Sequence, residues 1–217
     1  MFKEHIYFMP GLGVGPDIFK KLQLSNDYKL HYLEWKKPLS KDETLANYTM
    51  RMVDDINHEK PVLIGVSFGG IIVQEMSKYI DVKKTIIISS VKSKNEFPRR
   101  FKFAIASNIY KLFPTTIIIN FEKYSKFFVG KYLKKKAENY KRYLTVRDKT
   151  YIEWSIHTVL NWQQETSSKN ILHIHGTKDN VFPIKYIHNC EQIIDGDHAM
   201  IMTKAKRISE IINTYLN

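Results

Sequence analysis

The residues best suited to chemistry in this 217-residue chain surround a serine between two glycines. Residues 65–69 read Gly-Val-Ser-Phe-Gly. This motif begins within the apolar run 61–66 and leads into the apolar segment 71–79. The run predicts a strand buried on both faces, and the segment after it predicts a helix. Small residues two positions from Ser67 allow the strand and the helix to pass closely at a sharp turn. The pattern therefore predicts a nucleophile elbow that raises the serine hydroxyl above a sheet, where backbone N–H groups can receive negative charge.

The elements that must position this serine alternate along the chain. Strands are predicted at 5–9, 28–35, 61–66, 85–90, 170–175 and 190–195, and helices at 16–22, 45–56, 71–79, 184–187 and 199–216. Ser40 to Glu43 has the spacing of a capping box for the second helix. This alternation predicts the α/β class, with a mostly parallel twisted sheet and helices on both faces.

Two further motifs follow the last two predicted strands. Residues 175–179 read His-Gly-Thr-Lys-Asp, and residues 196–198 read Gly-Asp-His. Together with the elbow they resemble the α/β-hydrolase superfamily, in particular small serine hydrolases with a helical cap. The resemblance implies a Ser-His-Asp triad in which Ser67 is the nucleophile, His198 the base and Asp179 the acid. All three would lie at the carboxyl ends of parallel strands, the edge where open α/β sheets bind ligands.

The same resemblance implies an oxyanion hole made by two backbone N–H groups. One belongs to Phe68, the residue after the nucleophile, and the other to the loop after the first strand, Pro10-Gly11-Leu12-Gly13. We expect the second donor to be Leu12, with Gly13 as the alternative.

Other residues compete for the triad roles. His175 stands at a strand end and could approach the site, although a hydrogen bond to the backbone there is the simpler interpretation. Asp195 and Asp197 are too near His198 in sequence to be the usual acid, and Asp148 lies in a basic segment where a surface salt bridge is expected. The remaining histidines have no link to a nucleophile: His5, His31, His58, His157, His173 and His188.

Cofactor and metal chemistry are not expected from these patterns. His173 and His175 alternate on a strand and could chelate, but no carboxylate cluster or H-x-x-x-H pattern accompanies them. The single cysteine, Cys190, excludes an intramolecular disulfide and is expected to be a small buried apolar side chain.

Residues 92–165 differ in composition from the rest. They hold 16 Lys and Arg against 6 Asp and Glu, and so carry most of the formal net charge of +12, together with 15 aromatic residues. Their position matches that of the cap that α/β-hydrolases insert over the active site. The resemblance therefore predicts a core of 1–91 and 166–217 with a mostly helical cap or lid at 92–165. The β-branched run 115–119 could instead be a strand.

Three interpretations of this basic charge remain open. The basic residues form a solvated lysine-rich surface, they attract an anionic membrane surface or an acyl carrier, or they bind nucleic acid. No nucleic-acid motif is present, so no nucleic-acid partner is expected.

The expected activity is hydrolysis of an ester or thioester with a largely apolar acyl group. The alternatives are a C–C bond hydrolase or lyase on the same fold, or a non-catalytic ligand-binding protein. The N-terminus lacks a secretory pattern and no run has the length of a membrane span, so a cytoplasmic protein is expected.

Overall fold

A six-stranded sheet forms the centre of the protein. The computed structural model describes residues 4–107, 143–167 and 170–217. Strands β1 to β6 are Glu4–Met9, Tyr28–Tyr32, Val62–Val66, Lys84–Ile88, Ile171–Gly176 and Glu191–Ile193. They lie in the order β2-β1-β3-β4-β5-β6, and every neighbouring pair is parallel. The predicted parallel sheet is confirmed, with β2 and β6 ending earlier than the sequence indicated.

The two faces of the sheet bury separate cores. Alternate residues of a strand point to opposite faces, so Ile6 and Phe8 of β1 belong to one core while Tyr7 and Met9 belong to the other. Both faces of the central strands are apolar, which is why the runs at β3 and β4 read as continuous hydrophobic segments.

Helices cover both faces, as predicted. In chain order the described α-helices are α1 Leu45–Val53, α2 Phe68–Met76, α3 Arg99–Ser107, α4 Lys149–Leu160, α5 Met200–Thr203 and α6 Ala205–Leu216. Helices α1 and α2 pack in the core that contains Tyr7, and α6 packs in the core that contains Phe8. The predicted last helix is divided at Lys204, whose backbone (φ −120°, ψ 23°) departs from helical values.

The predicted capping box was wrong. The hydroxyl of Thr44 accepts a hydrogen bond from Asn47 N at 3.2 Å, so Thr44 caps α1. Ser40 instead stabilises a preceding turn by accepting from Asp42 N at 3.2 Å. A threonine directly before the helix satisfies the free N–H groups that a serine five residues upstream does not reach.

The first predicted helix is a short 3-10 turn, Pro16–Phe19. Its hydrogen bonds span three residues, as from Lys20 N to Asp17 O at 3.2 Å. The predicted helix at 184–187 is likewise a 3-10 turn, Ile184–Tyr186.

The basic segment contributes α3 and α4 to the described structure. Helix α4 packs into the main core through Tyr151, Ile152 and Trp154. The indole of Trp154 also donates to Glu43 O at 2.8 Å, which ties α4 to the loop before α1. The run 115–119 lies outside the described residues, and the predicted division into a core and a cap stays a prediction.

Within the described ranges, no helix combines the length and the apolar character needed to cross a bilayer.

Candidate active site

Ser67 stands at the sharp turn between β3 and α2. Its backbone has φ 54° and ψ −119°, a left-handed conformation that is uncommon for a residue with a side chain. Two hydrogen bonds hold it there: Ser67 N donates to Ile88 O at 2.9 Å, and Ser90 Oγ donates to Ser67 O at 2.7 Å. The two partners lie at the end of β4 and just beyond it, so the neighbouring strand supports the strained turn.

The glycines of the elbow are required by contact. A Cβ on Gly65 would overlap the carbonyl of Gly69, and a Cβ on Gly69 would overlap the carbonyl oxygens of Met9 and Pro10. The neighbouring strands and the helix therefore approach within backbone contact at this point. The predicted elbow is present with the predicted spacing.

Asp179 is fixed in the loop after β5. It is 3% exposed. Its Oδ1 accepts hydrogen bonds from Val181 N at 2.7 Å and Phe182 N at 2.9 Å. The second oxygen, Oδ2, lies 2.9 Å from His198 Nδ1. One carboxylate oxygen thus fixes the side chain to the loop, while the other accepts a hydrogen bond from the imidazole.

His198 joins the acid to the serine. Its Nε2 lies 2.9 Å from Ser67 Oγ, opposite the contact of Nδ1 with Asp179. A carboxylate can only accept, so His198 Nδ1 donates and Nε2 is left to accept the serine proton. The three residues predicted from the sequence therefore meet in a hydrogen-bonded line.

The carboxyl of Asp179 is held in its charged form. Burial alone raises the pKa of Asp179, but the hydrogen bond and the charge of His198, with the N–H of Phe182, outweigh burial and bring that pKa below its ordinary value. Asp179 can therefore stabilise a positive imidazole throughout the neutral range.

His175 is not brought to the serine. It is fully buried, with Nε2 2.8 Å from Phe182 O and Nδ1 3.1 Å from His173 Nε2. Burial lowers the pKa of His175, which favours the neutral ring. Its Nε2 is 3.5 Å from Asp179 Oδ2, so His175 packs beside the acid and supports the loop that carries it.

The rival carboxylates have other partners. Asp195 pairs with Lys178 at 2.7 Å. Asp148 caps α4 by accepting from Tyr151 N at 3.0 Å, and it also pairs with Lys37 at 3.0 Å. Asp197 accepts from Ala199 N at 3.0 Å in the loop that presents His198.

The loop after β1 lies against the serine. The N–H of Gly13 donates to the hydroxyl of Tyr151 at 3.2 Å, so this candidate oxyanion donor is engaged. Burial raises the pKa of Tyr151 and keeps that hydroxyl protonated. In the described part of the chain the N–H groups of Leu12 and Phe68 have no hydrogen-bond partner. The pair of donors, Leu12 and Phe68, stays a prediction.

A cavity of about 740 Å³ opens beside Ser67 and His198. Its lining is mostly apolar and includes Leu12, Ile18, Phe101, Ala104, Val159 and Phe182. Arg100 also borders it, with a guanidinium nitrogen 2.7 Å from Val181 O. The sequence predicted an apolar pocket without naming these residues, because they come from five separate parts of the chain.

Comparisons with known proteins bear on the fold through solved structures and not through sequence. No protein-family model matches the chain, and no curated protein matches its sequence. Solved structures, in contrast, match nearly its whole length.

Three of these structures come from different bacteria. A thermophilic esterase from Thermogutta terrifontis is 14% identical, with a TM-score of 0.71 over 99% of this chain and 90% of that one. The enol-lactonase from Burkholderia xenovorans LB400 is 12% identical, with a TM-score of 0.72 over 98% and 91%. A bromoperoxidase from Bacillus anthracis is 14% identical, with a TM-score of 0.65 over 98% and 91%. The sheet order, the elbow and these likenesses together show that the chain has the α/β-hydrolase fold.

Proposed function

We propose that the protein is a serine hydrolase that cleaves carboxylic esters or thioesters of largely apolar acyl groups. The observation that carries this proposal is the line of hydrogen bonds from Asp179 through His198 to Ser67, both 2.9 Å long. A base within reach of a hydroxyl, and itself oriented by a carboxylate, activates serine as a nucleophile. The esterase and the lactonase among the structural neighbours support ester chemistry.

The proposed reaction has two halves. Ser67 Oγ attacks the substrate carbonyl carbon while His198 Nε2 takes the hydroxyl proton, and Asp179 stabilises the imidazolium. The N–H groups of Phe68 and Leu12 stabilise the negative oxygen of the tetrahedral intermediate. Collapse breaks the bond to the alcohol or thiol, which receives the proton from His198. Water then attacks the acyl-enzyme with the same base, which releases the carboxylic acid and restores Ser67.

The cavity supports the substrate class. Its apolar lining suits a hydrocarbon chain, because burial of apolar surface contributes about 25 cal/mol per Å². Charged side chains do not dominate the lining in the described structure, where Arg100 is occupied by backbone carbonyls. An acyl chain placed there would bring its ester carbonyl to Ser67.

Labelling with a fluorophosphonate tests the nucleophile. Wild-type protein should be labelled, and Ser67→Ala should lose labelling together with roughly six orders of magnitude in kcat. Ser40→Ala, at an exposed serine, is the matched control and should behave as wild type. Absence of labelling in folded wild-type protein would instead indicate a non-catalytic ligand-binding protein.

A panel of acyl esters and thioesters tests the reaction. Hydrolysis should be measurable and should fall about 10⁴-fold in Asp179→Asn, since the amide no longer fixes the imidazole in the required tautomer. Asp195→Asn is the control because its partner is Lys178 on the surface. Labelling of Ser67 without turnover of any ester or thioester would point to C–C bond hydrolysis or a lyase reaction.

A further inference from the structure

Three histidines meet at a distance from the candidate active site. His5 lies on β1, His31 on β2 and His58 in the loop before β3. In the parallel register of β1 and β2, Tyr7 is opposite His31, so His5 is its diagonal neighbour on the same face. Folding therefore gathers on one face three imidazoles that are 26 and 27 residues apart in sequence.

The three rings are in direct contact. His5 Nδ1 is 2.9 Å from His31 Nε2, and the rings of His5 and His58 stack with centroids 3.5 Å apart. One ligand nitrogen from each ring can be chosen so that all three lie within 4.8 Å of one another. Within the described ranges no other group of three or more His, Cys, Asp or Glu meets this criterion.

Two of the three rings, those of His5 and His31, have lowered pKa values. Burial, then the charge of His58, then that of Lys29 lower the pKa of His5, and the charge of Glu4 opposes them. Burial, His58 and His5 likewise lower the pKa of His31. Neutral imidazole is the form that ligates a metal ion.

We propose that His5, His31 and His58 form a binding site for a first-row transition-metal ion such as Zn²⁺. Imidazole nitrogen is a preferred ligand of Zn²⁺, Cu²⁺ and Ni²⁺, whereas Mg²⁺ and Ca²⁺ prefer oxygen. A tetrahedral ion with Zn–N bonds of about 2.0–2.1 Å separates its ligand nitrogens by about 3.3 Å. The contact between His5 Nδ1 and His31 Nε2, at 2.9 Å, already has nearly this length. The ring that donates this hydrogen bond can carry its proton on its other nitrogen, which leaves both contacting nitrogens free to ligate the ion.

Tyr7 supports the third ligand. Its hydroxyl lies 2.5 Å from His58 Nδ1 and accepts a hydrogen bond from Asn57 N at 3.1 Å. When His58 Nδ1 donates to this oxygen, the lone pair of His58 Nε2 is free for the metal. Such an outer partner is the usual means of orienting a metal-bound histidine.

The site is accessible and separate from Ser67. All three histidines are partly exposed, so an ion and a fourth ligand from solvent can reach them. His58 precedes β3 and Ser67 follows it, and a five-residue strand is about 16 Å long. The metal site therefore stands independently of the proposed serine chemistry.

Titration calorimetry with Zn²⁺, on the full chain without a polyhistidine tag, tests the site. Wild-type protein should bind one Zn²⁺, and His31→Gln and His58→Gln should each weaken binding tenfold or more, roughly the effect of losing a ligand or its support. Excess Zn²⁺ should raise the unfolding midpoint of wild type but not of these variants.

Two histidine variants control for other binding sites. His188→Gln removes an exposed histidine, and His198→Gln removes the imidazole beside Asp179. Both should bind Zn²⁺ as wild type does. Unchanged affinity in His31→Gln and His58→Gln, or loss of binding in His198→Gln, would overturn the proposal. Unfolding midpoints of wild type, His31→Gln and His58→Gln measured without metal should agree, which shows that lost binding is not lost folding.

Discussion

Gly176 and Gly196 meet backbone to backbone between the loop that carries Asp179 and the loop that carries His198. A Cβ on Gly176 would overlap the carbonyl of Gly196, and Lys178 N donates to Gly196 O at 2.8 Å. The acid and the base come from loops after different strands, yet this contact sets one against the other. Their side chains meet in a 2.9 Å hydrogen bond.

Gly176→Ala should therefore impair the acid–base pair. The added methyl group separates the two loops, because a backbone neighbour cannot rotate away, and overpacking of this kind costs about 1–3 kcal/mol of unfolding free energy. We expect kcat for ester hydrolysis to fall at least tenfold with little change in KM, since a small misplacement of a catalytic group is costly.

Gly15→Ala is the control for this variant. Its Cβ would meet the side-chain oxygen of Thr145, which can rotate. Stability and kcat of Gly15→Ala should stay near wild type. If Gly176→Ala retained wild-type kcat, the glycine contact would not position the pair.

Tyr151→Phe should disturb the oxyanion loop. Tyr151 accepts the N–H of Gly13 at 3.2 Å, and loss of the hydroxyl leaves that buried N–H unpaired at a cost of about 1–3 kcal/mol. The loop that presents Leu12 N–H then loses its anchor, so kcat should fall by about tenfold or more.

Tyr48→Phe provides the comparison. Tyr48 is equally buried, but its hydroxyl bonds the backbone of Lys36. Tyr48→Phe should lower the unfolding free energy by an amount similar to that of Tyr151→Phe and leave kcat unchanged. Equal effects of the two variants on kcat, measured with the same ester, would argue against a positioning role for Tyr151.

Much of the candidate site could be predicted because its residues follow strand ends. Ser67 directly follows β3, while Asp179 and His198 lie in the loops after β5 and β6, and parallel strands bring their carboxyl ends to one edge. The choice between Leu12 and Gly13 could not be made from spacing. Nor could spacing show that the N–H of Gly13 bonds to Tyr151, a partner 138 residues away.

The cluster of His5, His31 and His58 could not be predicted from sequence spacing at all. His5, His31 and His58 have no motif spacing, and their proximity depends on the register of β1 against β2 and on the path of the loop before β3. Helix starts were also poorly predicted, since the choice between Ser40 and Thr44 as a cap is settled by local geometry.

Acid should destabilise the protein through the buried pair His173 and His175. Burial holds the pKa of His173 well below its ordinary value and also lowers the pKa of His175. The unfolded chain then binds more protons than the folded one, so stability is complete above the unfolded pKa of about 6.5 and declines as pH falls. Each additional proton bound on unfolding removes about 1.4 kcal/mol per pH unit.

Urea unfolding at pH 7.5 and 5.5 measures this effect. His173→Gln removes one of the two titrating rings, so its unfolding free energy should fall less between these pH values than that of wild type. His157→Gln, at an exposed histidine, should keep the wild-type difference. An identical pH dependence in wild type and His173→Gln would show that His173 is not the source.

Ala104→Trp should shorten the accepted acyl chain. Ala104 on α3 lines the cavity beside Ser67, so a large side chain there fills space that a long chain would occupy. We expect kcat/KM for long-chain esters to fall at least tenfold while short-chain esters retain theirs, because each excluded methylene is worth about 1–3 kcal/mol in an apolar pocket. Ala106→Trp, on the exposed side of the same helix, should leave the chain-length profile unchanged. A profile shifted equally by both substitutions would mean that α3 as a whole has moved, and that the cavity wall at Ala104 does not select the chain.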